Sequence, residues 1–147
     1  MRPLLISLAI PALCGCSLFV PKLETPALSI VNVQLLKGSD LWHQELKVRL
    51  RVQNPNDRSL PIKGLTYELG LDDQDFAHGE SGASFVVPAL GEAEFDMSVH
   101  ANLTSLAIKL LGQGASQVQY HIRGNIALSS GLLRHLKFDD QGTFKLQ

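Results

Sequence analysis

Thiol chemistry in this chain is confined to one place. Its two cysteines, Cys14 and Cys16, lie near the N-terminus, and none follows them. From Ser17 onward the sequence can build no internal disulfide, no thiolate metal site and no cysteine nucleophile. Imidazoles are scattered: His43, His78, His100, His121 and His135 have neither helix-type nor finger-type metal spacing. Strand placement would let His100 and His121 face one another across a sheet; solvent-facing rings are the ordinary alternative. Asp72, Asp73 and Asp75 offer carboxylates, but a calcium-binding loop counted from Asp72 needs glycine where Ala77 stands. A polar hairpin tip is expected there instead. Trp42 beside Leu41 is either a contact for a ligand or partner, or a packing residue. Asn102-Leu103-Thr104 matches a glycosylation acceptor. No Gly-x-Ser-x-Gly, phosphate loop or dinucleotide fingerprint occurs. No nucleophile, base and orienting group assemble, so the sequence predicts no enzyme, no metal and no cofactor.

The cysteines end an apolar run. Arg2 gives a positive start, and Leu4–Leu13 is apolar with Pro11 interrupting it. That is the length of a signal h-region and too short to span a bilayer. Leu13-Cys14-Gly15-Cys16 resembles the lipobox of bacterial lipoproteins: an aliphatic residue, a small residue, Gly or Ala, then Cys. The resemblance implies that residues 1–15 are a cleaved signal peptide. It implies that Cys16 receives diacylglycerol and that its freed amine is acylated. Several acyl chains anchor stably where one binds only marginally. Cleavage would also remove Cys14, leaving no free thiol in an oxidising compartment. In enterobacterial sorting, Asp after the lipidated cysteine favours the inner membrane, so Ser17 points to the outer one. Residues 16–26, with Pro21 and Pro26, are expected to form the lipidated N-terminus and an extended tether. The implied partner is a membrane, held through lipid on Cys16, at the periplasmic face of the outer membrane in the cell envelope.

Composition narrows the other partners. The chain has 147 residues and a formal charge of −1, from 13 basic against 14 acidic side chains. Without Arg2 the balance is 12 against 14, or −2. No basic field is available for phosphates, which argues against nucleic acid. No small-molecule substrate is evident. Hydrophobic content of 45% supports one folded domain over residues 27–147.

The elements that would carry these residues are strands. Ala27–Leu36 is a β-type run with a phase change near Val31, where a bulge is expected. Leu41–Gln53 is clearest: Leu46, Val48, Leu50 and Val52 alternate with Lys47, Arg49, Arg51 and Gln53. Asn54-Pro55-Asn56-Asp57 ends it. Leu60–Ile62 reads as a short edge segment because of Pro61. Leu65–Leu71 alternates again, Asp72–Asp75 turns, and Phe76–His78 resumes. Ala83–Val87 and Ala93–Ala101 follow, split by Pro88–Gly91. Leu103, Leu106, Ala107, Leu110 and Leu111 fall at helical spacing and predict one short amphipathic helix. Gln117–Leu128 and Leu132–Phe138 return to strand, Asp139–Gly142 reads as a turn, and Thr143–Leu146 closes. About seven strands with frequent turns predict a mainly β chain, an immunoglobulin- or fibronectin III-like antiparallel sandwich.

From Leu46 onward the chain resembles the type 2 late embryogenesis abundant family, also described by the water-stress and hypersensitive-response domain. The strand Leu46-Lys-Val-Arg-Leu-Arg-Val-Gln53 followed at once by Asn54-Pro55-Asn56 carries the resemblance. Leu60-Pro61-Ile62, Leu65–Leu71, Ala77-His78-Gly79, Val87-Pro88-Ala89 and Ala93–Val99 come after it in order. The resemblance implies a folded sandwich and a role in tolerance of desiccation or similar stress. A lipid anchor departs from the plant members. The expected function is non-catalytic protection by surface contacts from a lipid anchor. The alternative is an envelope assembly or binding module that presents the sandwich to envelope proteins.

Overall fold

A computed structural model describes residues 22–36, 44–101, 117–131 and 134–145. Among them run eight strands: β1 (Ala27–Leu35), β2 (Gln44–Gln53), β3 (Leu60–Leu71), β4 (Gln74–Ser81), β5 (Phe85–Val87), β6 (Glu92–Ala101), β7 (Gln117–Leu128) and β8 (His135–Lys145). All pairings are antiparallel. One sheet has the order β1-β2-β6; the other has β4-β3-β7-β8, with β5 also on β3. Both contribute to one apolar cluster, including Val48, Leu50 and Val52 from the first and Ile62, Ile122 and Ile126 from the second. The chain is mainly β, with eight strands among the described residues against about seven expected. No helix occurs among the described residues, and the helix predicted over Leu103–Leu111 lies outside them.

The period-two pattern of β2 translates directly. Val48, Leu50 and Val52 are fully buried, while Arg49 and Gln53 point to water. Each such side chain contributes about 1.5–3 kcal/mol by leaving water. The β1 bulge falls where expected, with a register shift between Ile30 and Asn32. It turns Val31 outward and restores Val33 to the core. Leu35 is exposed at the strand's end.

Two sequence readings are corrected. Leu60–Ile62 and Leu65–Leu71 are one strand, β3, lying between β7 on one side and β4 and β5 on the other. Pro61 is tolerated because its missing N–H faces the turn after β7. On that side its carbonyl accepts the Ser129 N–H at 2.9 Å. A register shift between Ile62 and Gly64 changes the phase, so Leu60, Ile62, Leu65 and Tyr67 all face the core. Second, Asp139–Gly142 is not a turn: β8 runs through it, pairing Asp139 to Arg123 and Gly142 to Tyr120. Its alternation places Asp140 and Gly142 on the core-facing side. Asp140 Oδ2 there accepts the Leu28 N–H at 2.9 Å from β1. A Cβ on Gly142 would lie 2.6 Å from the Tyr120 hydroxyl, which accepts the Ile30 N–H at 3.2 Å. One side of the sandwich is thus closed by polar contacts, which erase the apolar signal that marks a strand.

Candidate functional site

Several predicted residues lie outside the described ones: Cys16, Ser17, Trp42, His43 and Asn102–Thr104. The histidines that are described do not converge. His100 stands on β6 opposite Glu45, and His121 on β7 opposite Gln141, in different sheets. They do not face one another, and both are exposed, as the ordinary alternative has it; strand alternation gives each residue's face but not its sheet. His121 Nε2 lies 2.5 Å from Asp139 Oδ1 on the outer surface. Asp72 and Asp73 form the two-residue tip of the β3–β4 hairpin, with φ of 46° and 63°. No cluster of three metal-ligating side chains occurs among the described residues.

What the fold gathers instead is a clasp at one end of the sandwich. β2 ends at Gln53, and the chain enters Asn54-Pro55-Asn56, where both asparagines are buried. Asn54 Nδ2 donates to the carbonyls of Arg58 (2.7 Å) and Pro88 (2.9 Å). Asn54 Oδ1 accepts from the Asn56 N–H at 3.0 Å and from its Nδ2 at 2.9 Å. Asn56 then grips the segment arriving from the N-terminus. Its Oδ1 accepts the Glu24 N–H at 2.7 Å, and its Nδ2 donates to the Glu24 carbonyl at 2.9 Å. Its own carbonyl accepts the Leu90 N–H at 2.9 Å. Pro55 fits between them because the bend there requires no donor from it. Leu23 packs against the core and Pro26 is fully buried, so the segment before β1 is docked. Sequence reading recognised Asn-Pro-Asn as a turn and as a family mark. It did not foresee that both amides are buried and knit three segments far apart in the chain.

The outer faces are paired charge. On the three-stranded sheet, Arg49 makes a two-pronged pair with Asp96 (2.7 and 3.0 Å), and Lys47 reaches the same carboxylate at 2.9 Å. Arg51 meets Glu94 at 2.7 Å, with Glu92 at 3.8 Å. Hydrogen bonds from Arg49 and then Lys47 hold the Asp96 carboxyl well below the usual carboxylate range. Donating to Asp96 and Glu94 raises Arg49 and Arg51 in turn. On the other sheet, Arg123 pairs with Glu68 at 2.7 Å. Arg49, Arg51 and Arg123 are matched by anions directly across the ladder and Lys47 reaches Asp96 diagonally, so the faces carry little net field.

Residues 49–142, well over half of the chain, match the family model described as late embryogenesis abundant protein. The chain belongs to the late embryogenesis abundant family. Solved structures share the fold. A protein of Arabidopsis thaliana solved in solution superposes with a TM-score of 0.63 at 18% identity, over 85% of this chain and 84% of that one. A late embryogenesis abundant protein, also solved in solution, gives 0.51 at 20% identity, over 86% and 72%. No curated protein sequence matches the chain. In this late embryogenesis abundant domain the matched stretch begins within β2 and holds the whole Asn-Pro-Asn clasp. The Glu24 segment that the clasp grips lies before the matched stretch.

Proposed function

We propose that this late embryogenesis abundant domain is a non-catalytic stress-protection protein tethered to the bacterial envelope by acyl chains on Cys16. The observation that carries the reading is the clasp: Asn56 fastens the segment leading back toward Cys16 onto a rigid sandwich. The lipobox-like Leu13–Cys16 supplies the anchor, and Ser17 directs it to the periplasmic face of the outer membrane. Family membership supports the stress role, with desiccation as the stress. The self-paired outer faces support a mechanism of many weak, hydrated contacts with proteins, glycans or headgroups, because matched charges retain water without selecting one sign of partner. We also read the sandwich as fibronectin-like and akin to the water-stress domain, on the order β1-β2-β6 against β4-β3-β7-β8.

The test joins chemistry to physiology. Mass spectrometry of the mature N-terminus, with and without globomycin, should find an acylated Cys16 that the drug prevents. A deletion strain should survive drying less well than wild type, and Cys16→Ser should not restore it. Equal survival of the deletion strain would remove the protective role. An unmodified N-terminus would remove the anchor.

A further inference from the structure

The clasp ties the tether beside an exposed leucine. Leu90, in the turn between β5 and β6, is 74% exposed, the most of the large apolar side chains among the described residues. Its backbone has φ of 52°, a left-handed conformation that a bulky residue rarely takes and that Gly or Asn takes readily. Local folding therefore disfavours leucine here, and its side chain covers no core. Yet the turn is not loose: the Leu90 N–H is held by the Asn56 carbonyl, and the Gly91 N–H by Pro88 at 3.1 Å. A strained, exposed apolar residue on a rigid turn is a pointer to a contact outside the domain.

The tether says which contact. Glu24, Thr25 and Ala27 line one groove with Leu90, Gly91 and Glu92. Lys22 stands six residues after Cys16 (22 − 16), so even a fully extended tether keeps this end within ~20 Å of the anchor. The loop after β2, the turn after β7 and the Leu90 turn all lie at this end. The Asp72-Asp73 turn lies at the other, the length of the sheet away. We propose that the Leu90 turn is a membrane-contacting tip, with the Leu90 side chain entering the interface of the bilayer that holds Cys16. The inference rests on the anchoring reading above. A lone leucine binds membrane weakly from solution, but the tether makes the encounter intramolecular and raises its effective concentration. The tip then sets orientation: the clasp end faces lipid, and the Asp72-Asp73 end faces the periplasm.

Once Cys14 is removed and the Cys16 sulfur is acylated, an introduced cysteine is the only free thiol. Full-length Leu90→Cys and Asp73→Cys variants, processed in cells, would be labelled with a polarity-sensitive fluorophore. They would then be reconstituted into phosphatidylcholine–phosphatidylglycerol vesicles, with and without doxyl-labelled lipid. The expected result is a blue-shifted, doxyl-quenched probe at 90 and an unshifted, unquenched probe at 73. An acylated protein that floats with the vesicles yet keeps an aqueous probe at 90 overturns this inference alone. So does a blue shift that doxyl lipid does not quench, which would mean a protein surface covers the turn. An unacylated protein that does not float overturns both readings.

Discussion

Replacing Asn54 by Ala tests whether the clasp holds the domain together. The side chain makes four good hydrogen bonds, to Arg58, Pro88 and twice with Asn56, in a site only 3% exposed. A typical buried hydrogen bond contributes a net ~1 kcal/mol, and a partner left buried and unmatched costs more. Loop carbonyls near the surface regain some water after relaxation, so the loss is expected at about 3–4 kcal/mol. Against a total of about 5–15 kcal/mol for a domain of this kind, that is a large fraction. Asn56→Ala should cost less, about 1–2 kcal/mol, because Glu24 itself is exposed and its freed backbone rehydrates. Its mark is local: the Glu24 amide should lose most of its exchange protection while β2 and β7 keep theirs. The two side chains share one hydrogen bond, because the Asn56 backbone N–H survives Asn56→Ala, so the double variant should fall short of additivity by about 1 kcal/mol. Urea unfolding followed by circular dichroism gives these values, with the m-value unchanged. A loss below 1 kcal/mol for Asn54→Ala, or a larger loss for Asn56→Ala, would refute the reasoning.

Four further outcomes follow from the same geometry. Asn54→Asp turns a donor toward the carbonyls of Arg58 and Pro88 into a buried charge. Its folded-state pKa should rise, so this variant should regain stability as pH falls from 7 to 5, read as a rising urea midpoint. Asp96→Asn should do the reverse to the acid limb. The lowered wild-type Asp96 contributes stability above the ordinary carboxylate range, lost as pH falls below it, and the variant's urea midpoint should fall less on acidification. Gly124→Ala would set a Cβ 1.9 Å from the Thr66 carbonyl oxygen, backbone that cannot swing aside. Its loss should reach or exceed the ~3 kcal/mol typical of overpacking, seen in the melting curve. Leu90→Asn should leave stability unchanged or raise it by up to about 1 kcal/mol, read as an unchanged or higher melting temperature, because Asn accepts the left-handed backbone; a clear drop would mean the leucine packs on the domain.

Where a strand has one wet face and one dry face, its residues announce it. β2 reads as alternating aliphatic and charged residues, and β7 was legible end to end, Gln117–Leu128. The bulge in β1 was legible too, since its apolar phase slips at Val31. The middle of β8 was not, because its core-facing Asp140 and Gly142 are fitted to Leu28 and Tyr120, more than twenty residues away along the chain. The clasp was half legible. Asn-Pro-Asn marks a turn locally, but burial of both amides depends on Glu24 and the Pro88–Gly91 turn arriving from elsewhere. Leu90 carries no sequence signal, since leucine does not mark a left-handed backbone and its hydrogen-bond partner, the Asn56 carbonyl, lies more than thirty residues back in the chain.

The amino-acid order alone determined that this is a mainly β domain of the late embryogenesis abundant type, preceded by an apolar run that ends in a lipobox-like motif, because alternation and short motifs are local properties of neighbouring residues. Only the tertiary structure decided which strands share a sheet, that His100 and His121 part company, that the acidic segment of β8 is a strand, and that the tether is clamped beside Leu90. Those outcomes depend on hydrogen bonds and packing between residues distant in the chain, which no local pattern records.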